Sequence, residues 1–372
     1  MSKVLLTATV QSHIAQFHRP LIKILKEEGY EIHVAARNNL GEKNGLRIEN
    51  VDRIYDIPFD RSPVNPKNIK AYRQIKRIIN EGNYDLISCN TPVGGIVTRL
   101  AARKARKKGT RVIYTAHGFH FYQGAAFKNW LLFYPLEKEM SRLADTLITV
   151  TKEDYCLARK NFHCEVRHIH GVGADVKKYR SVTAEEASQF RKEQGYDGRF
   201  VILCTGELNE NKNQKTVISA VSALREQYPE ILLLLAGNGP SEENLREQIR
   251  ELKLEENVCM IGYRTDLEWF TNACDLVVSA SFREGMPLNI MEAMICGKPV
   301  IASYNRGHRE LVQDGINGYL VRPDDVNGIA CKVEELITQR ELRERFTQAA
   351  KRSVQPYTMK HVEKELKDIY LR

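Results

Sequence analysis

The sequence predicts an α/β protein: two Rossmann-like doubly wound parallel-sheet domains facing a cleft. Three observations carry that expectation. The chain has 372 residues, beyond the ~250–300 at which a single hydrophobic core stops growing. Short apolar runs alternate with helical patterns in two successive series, and such alternation means βαβ units with a parallel sheet covered on both sides. Between the series lies Ala174 to Gly198, polar and charged, which suits a linker plus a helix. The expected division is a first domain over 1–180, a second over 181–355, and a terminal helix over 356–372 that packs back on the first.

The first series opens with KVLLTATV (Lys3 to Val10), followed by a helical pattern through FHRPLIKILKEEG that stops at Gly29. YEIHVAA, YDLISCN, RVIYTAH, DTLITV and VRHIHGV read as the strands that follow, with helices over Gly95 to Lys108, around Trp130 to Leu143 and from Lys152. The second series runs through RFVILCTGEL, ILLLLAGNGP, VCMIGY, DLVVSAS, PVIAS and NGYLVRP, with helices over Ser241 to Leu252 and Asp266 to Ala273. The tail YTMKHVEKELKDIYLR, Tyr357 to Arg372, has helical spacing. Two such halves in series turn the carboxyl ends of their strands, and so their ligand crevices, towards each other.

Composition narrows the function. No apolar run approaches the ~20 residues that span a bilayer, and the start MSKVLLTATVQSH lacks a leader's long apolar region, so a cytoplasmic place, at most at the inner face of the membrane, is expected. Eight cysteines without any C-x-x-C pair argue against a zinc site or a disulfide framework. His168 and His170 share a strand face, but with no third ligand type nearby they read as ordinary strand residues. The net charge of +9 divides unevenly: Lys+Arg minus Asp+Glu is 31 − 17 = +14 for residues 1–180 and 25 − 30 = −5 for 181–372. A basic half can meet nucleic acid, an anionic membrane or a polyphosphate, and ARKARKKGTR (Ala102 to Arg111) is equally a solvated helix end. Neither half carries G-x-G-x-x-G after its first strand or a P-loop, which disfavours dinucleotide oxidoreductases and P-loop NTPases.

The stretch SFREGMPLNIMEAMICGKPV, Ser281 to Val300, holds Glu284 in a Gly-Pro turn and Glu292 on an otherwise apolar helix. Proline is favoured at a helix start and glycine at its end, which bounds this helix between Pro287 and Gly297. The backbone N–H groups of Met286, Leu288 and Asn289 then point out of a helix amino end, an arrangement that binds phosphate. Carboxylates beside a phosphate site can accept from the vicinal hydroxyls of a sugar and a ribose, which suggests a sugar nucleotide. Spacing alone equally allows Glu284 to complement the helix dipole and Glu292 to be a solvated helix residue.

The block Ser281 to Val300, with Gly307, Glu310, Leu311, Gly315, Gly318 and Leu320 after it, resembles the donor-site signature of family 4 retaining glycosyltransferases of the GT-B fold. GELNENKNQ, AGNGP, HGVGADVKKY, RSPVNPKNIKAY, NTPVGGIVTRLAARKARKKGT and YTAHGFHFY extend the resemblance to the subgroup that assembles bacterial capsular and exopolysaccharides. It implies that Glu284 contacts donor-sugar hydroxyls and Glu292 the ribose. Gly285, Met286, Pro287 and Leu288 would cradle the diphosphate, with Gly206 and Asn211 beside them, and Lys212 would neutralise it. His117 would lie near the reacting sugar, and Tyr263 and Arg264 beside the base.

Two positions depart from that pattern. Glu207 stands where relatives commonly carry arginine, and is expected to point away or pair with a base. TATVQSH lacks the paired glycines after the first strand, with His13 as a polar substitute. The resemblance implies a transferase moving a hexosyl or N-acetylhexosaminyl group from a nucleoside-diphosphate sugar, UDP for preference, to a glycan or polyprenyl-diphosphate-linked acceptor bound by the first domain. With no convincing Asp-x-Asp motif, no metal or other cofactor is expected. Trp130, Phe133 and Tyr134 are either core or a membrane-interface face. A sugar-nucleotide 2-epimerase of the same architecture is the rival enzyme reading; nucleic-acid binding lacks any recognised motif.

Overall fold

Long apolar runs such as Ile231 to Ala236 can satisfy a strand only where both of its faces are covered, and the fold places them there. The computed structural model describes residues 1–42, 45–180 and 182–372. Its first sheet contains β1 (Lys3–Val10), β2 (Glu31–Arg37), β3 (Arg53–Asp56), β4 (Leu86–Asn90), β5 (Arg111–Ala116), β6 (Thr146–Thr149) and β7 (Glu165–His168), in the order β3-β2-β1-β4-β5-β6-β7. The second contains β8 (Phe200–Thr205), β9 (Ile231–Ala236), β10 (Val258–Gly262), β11 (Leu276–Ser279), β12 (Val300–Ser303) and β13 (Tyr319–Val321), in the order β10-β9-β8-β11-β12-β13. Every pairing in both sheets is parallel. The strand order reverses between β1 and β4 and between β8 and β11, and at such switch points doubly wound sheets open a crevice beyond their strand ends.

The chain divides into two units, Met1–Gly173 with Lys360–Arg372, and Ala174–Met359. The first boundary lies before 180 because the short helix Val176–Arg180 belongs to the second core, where buried Tyr179 packs among Ile290, Met291 and Met294. Ser181, where the sequence places the start of the second domain, lies outside the described residues. The second boundary lies past 355 because Tyr357 is buried in that same core and Thr358 bridges to Ala174. The terminal helix Met359–Tyr370 is tied to the first sheet: Tyr370 Oη meets Ser88 Oγ at 2.8 Å, and Arg111 Nη2 donates to Ile369 O at 2.7 Å.

Several elements have no counterpart among the sequence-predicted ones, including β3 and the helices Lys67–Gly82, Arg306–Leu311, Val326–Thr338 and Arg340–Ser353. Strand β3 is an edge strand with its four residues largely exposed, so it lacks the apolar signature on which the other strands were read. The helix Phe127–Ser141 decides between the two readings of its aromatics. Trp130, Phe133 and Tyr134 are half-buried and pack against the first core, as the core reading expects, whereas Phe127, Leu131, Leu132 and Leu136 are exposed. Among the described residues, no helix is long and apolar enough to cross a membrane.

Under that helix sits a buried ion pair. Arg99 is 1% exposed; its Nη2 donates to Glu137 Oε2 at 2.8 Å and its Nε to Gly95 O at 3.0 Å, while its guanidinium lies 3.9 Å from the Tyr114 ring centre. Tyr114 Oη donates to the other Glu137 oxygen at 3.2 Å. Removing one partner strands a buried charge, which costs about 3–5 kcal/mol, whereas replacing the pair by apolar residues is often neutral. Urea unfolding should therefore show Glu137→Ala destabilised by that order, with Arg99→Met/Glu137→Leu recovering most of the loss; equal losses in both would contradict it.

Candidate functional site

The second unit gathers its unusual residues at the β8/β11 switch point. Strand β8 ends at Thr205 and passes into Gly206 at φ +145°, and β9 ends against Gly237 at φ +147°. A Cβ on Gly237 would lie 2.0 Å from Gly206 O, so the two strand ends meet backbone to backbone. The space above Gly206 is taken by the aliphatic stem of Lys212, whose Cε would be 3.1 Å from a Cβ at 206. The segment after β8 is clipped to that after β11: Phe282 N donates to Asn211 O at 2.8 Å, and Asn211 Nδ2 to Arg283 O at 3.0 Å.

That clip sets Lys212 Nζ 2.6 Å from Glu284 Oε1, with both side chains mostly covered. Burial pushes the Glu284 carboxyl up, but the charge of Lys212, then His308, and hydrogen bonds from Lys212 and Ser281 outweigh it and hold the group below its usual range. Glu284 is thus an anion whose hydrogen-bonding capacity is only partly used. The turn it stands on is closely backed, since a Cβ on Gly307 would lie 2.3 Å from Gly285 O and 2.9 Å from Glu284 Cβ. His308 is buried beneath, with Ser279 Oγ at 3.2 Å and Ser303 O at 2.8 Å.

The helix Leu288–Cys296 starts one residue later than its sequence suggests, with Pro287 as its extended N-cap, and stops at Gly297 in the left-handed region at φ +72°. Met291 N donates to Pro287 O, so the N–H groups of Leu288, Asn289 and Ile290 precede the first helical bond. Gly206, Asn211, Lys212, Glu284, Gly285, Met286, Pro287 and Leu288 therefore form one constellation at a helix amino end.

Glu292 is not the solvated residue that spacing allows. It is half-buried beside Tyr179, and burial raises its carboxyl to about 7 although the Tyr179 hydroxyl bonds it and Lys178 opposes the rise. Tyr263 and Arg264 follow β10, one strand beyond β9. Arg264 binds Asp266 through two bonds, Nε to Oδ1 at 2.8 Å and Nη2 to Oδ2 at 2.5 Å. Exposed Glu207 accepts from Asn209 Nδ2 at 3.1 Å rather than pairing with a base.

In the first unit His117 follows β5, its Nε2 3.3 Å from Asn90 Oδ1 at the end of β4. It does not stand alone. The His13 ring lies edge-on at 4.5 Å between centres and the His18 ring at 5.6 Å. Burial pulls His117 down to about 4; burial and the His117 charge pull His18 to about 3, and His13 is also held well below its usual value. Elsewhere, His170 acquires the third ligand type that its sequence surroundings lack: Glu365 Oε1 at 2.6 Å from Nδ1, with His361 beside it.

Sequence reasoning missed Tyr179, His18, Ser281 and His308. Tyr179 and His308 lie in segments quoted for the resemblance or next to them, but nothing local marks their partners. His18 sits in FHRP, where the helix pattern masks it.

Residues 185–353 match the family described as glycosyl transferases group 1, and residues 3–151 that described as glycosyl transferase 4-like. EpsD of Bacillus subtilis (strain 168), a protein named as a glycosyltransferase, is 39% identical over 371 residues, covering 99% of this chain and 96% of its own. The Escherichia coli UDP-Gal:alpha-D-GlcNAc-diphosphoundecaprenol alpha-1,3-galactosyltransferase is 25% identical over 82% of this chain and 79% of its own. The fold is that of Anabaena Alr3699/HepE, solved in complex with UDP and glucose, at a TM-score of 0.82 and 22% identity over 99% of each chain. The chain belongs to this family of glycosyltransferases.

Because the Glu292 pKa is raised from 4.5 to about 7, the folded state holds a proton there that the unfolded state releases, and stability falls as pH rises between those values. Glu292→Gln should therefore melt with the parent near pH 4 but gain up to ~3 kcal/mol at pH 8. Thermal unfolding at both pH values checks this; an equal effect at each would refute it.

Proposed function

We propose that the chain transfers a hexosyl or N-acetylhexosaminyl group, with retained anomeric configuration, from a UDP-sugar to a glycan or polyprenyl-diphosphate-linked acceptor in cell-surface polysaccharide assembly. The observation that carries this is the Lys212–Glu284 pair at 2.6 Å beside the amino end of the helix Leu288–Cys296. A cation and free N–H groups suit a departing diphosphate, and a preorganised potential of this kind often supplies the largest catalytic contribution. A phosphate drawing on Lys212 would release Glu284 to accept from sugar hydroxyls, and Glu292 with Tyr179 would serve the ribose. The sugar carbon exchanges its bond to the phosphate oxygen for one to the acceptor oxygen, and the leaving phosphate takes the acceptor's proton. No metal is called for at the diphosphate. The family resemblance would give His117 a role at the reacting sugar, and Tyr263 and Arg264 one beside the base.

Relatives support the donor and acceptor classes. The E. coli relative's name specifies a UDP-sugar and a diphosphoundecaprenol-linked acceptor, and the HepE crystals hold UDP and glucose. The test is a transfer assay with a panel of UDP-sugars and polyprenyl-diphosphate sugars in the presence of EDTA. Turnover is expected to persist in EDTA and to fall roughly 10²-fold in Glu284→Ala and Lys212→Ala. Near-normal Glu284→Ala turnover, or EDTA inhibition relieved by magnesium or manganese, would overturn the mechanism. A product still attached to UDP without acceptor would favour the epimerase.

The acceptor class implies work at an anionic membrane face. The exposed Phe127, Leu131, Leu132 and Leu136 stand on one helix with Lys128 and Lys138, and Arg142 caps its end, in the half of the chain with excess positive charge. Liposome flotation is expected to carry the protein with anionic vesicles and not with neutral ones, and Leu131→Glu/Leu132→Glu should abolish it. Absence of binding at moderate salt would remove the membrane from this account.

A further inference from the structure

His13, His18 and His117 carry a feature that glycosyl transfer does not require. His13 stands in the helix Gln11–Phe17 directly after β1, His18 at the joint between that helix and Arg19–Glu27, and His117 just past β5. One ring nitrogen of each lies within 4.8 Å of those of the other two. His18 is 5% exposed, and the buried Nε2 atoms of both His13 and His18 have no hydrogen-bond partner. An unsatisfied buried polar atom costs about 1–3 kcal/mol, so two in one cluster call for an occupant.

We propose that His13, His18 and His117 form a binding site for a first-row transition-metal dication, with zinc as the best chemical fit. Three imidazoles and an open fourth position make a familiar zinc ligand set with metal–nitrogen distances of about 2.0–2.1 Å. Tetrahedral ligands at that distance are ~3.3 Å apart, so nitrogens that lie within 4.8 Å of one another must close by at most about 1.5 Å, within reach of side-chain torsions. Nitrogen donors disfavour magnesium and calcium, which take oxygen ligands. No carboxylate belongs to the cluster, and crowding three cationic imidazoliums around an anion would cost more than sharing one metal among three neutral rings. Asn90 supplies the outer partner: its Oδ1 at 3.3 Å would hold one His117 nitrogen as N–H and leave the other as a lone-pair donor. The site stands on this geometry and not on the proposed transfer reaction, and its metal is distinct from any at the donor's diphosphate.

The experiment uses the full chain, stripped with chelator and titrated with CoCl2 and ZnCl2. Expected are one metal per chain by elemental analysis, the intense visible bands of four-coordinate cobalt, their loss on adding zinc, and a higher melting temperature with zinc. His13→Ala and His18→Asn should abolish the bands. Should either fail to fold, Asn90→Ala is the second variant, expected to weaken cobalt binding 10–100-fold as outer partners do. His361→Ala, in the separate His170–His361–Glu365 group, should leave the bands unchanged. Absent or non-stoichiometric uptake, bands that survive in His13→Ala, cobalt affinity unchanged in Asn90→Ala, or bands lost in His361→Ala would overturn the proposal.

Discussion

Parallel pairing is the constraint on which the rest of this structure depends. When every strand of a sheet runs the same way, every carboxyl end opens on the same edge, and each following helix presents its amino end there. Groups remote in sequence then become neighbours with no contribution from their own segments. In the second unit this brings Gly206 and Lys212 after β8 to Glu284 and Gly285 after β11. In the first it brings Asn90 at the end of β4, His117 after β5 and His13 after β1 into one cluster. Small residues finish the work: Gly237 and Gly307 stand where a methyl group would press on backbone at about 2 Å, so the segments lie closer than ordinary side chains allow.

Much of the fold was legible because buried parallel strands are largely continuous apolar runs, and the twelve strands read from the sequence need only local information. Strand β3 escaped because an exposed edge strand needs no apolar face. The domain boundary was misjudged for a different reason. Polarity marks VKKYRS as linker, yet Tyr179, buried in the second core with Val176 packed against it, decides which unit the helix Val176–Arg180 joins. Similarly, helical spacing groups Trp130, Phe133 and Tyr134 with Leu131 and Leu132, and only the packed core tells which side faces inward.

Within the candidate site, what sequence reveals is again what is local. The Gly-Pro turn, the helix start near Pro287 and its glycine stop follow from backbone preferences within a few residues. The ion pair does not, since Lys212 and Glu284 are separated by 72 residues. Nor does the half-buried state of Glu292, which depends on Tyr179 arriving from a segment that reads as linker. The histidine cluster has no spacing signature because His13 and His18 stand on either side of the end of one short helix and His117 comes about a hundred residues on. The partner of His170 was invisible for the same reason, being supplied by the terminal helix.

The terminal helix also bears on how the polypeptide can be divided. The first unit is made of two pieces of chain, Met1–Gly173 and Lys360–Arg372, with the whole second unit between them. A fragment stopping at Gly173 would uncover Ser88 in β4, and would leave the Arg111 guanidinium without its carbonyl acceptors and His170 without its carboxylate. During synthesis the first half must wait for residues translated after the second half is already out. A graft that exchanges donor specificity between relatives therefore has to cut twice and carry the returning segment along with the half it completes.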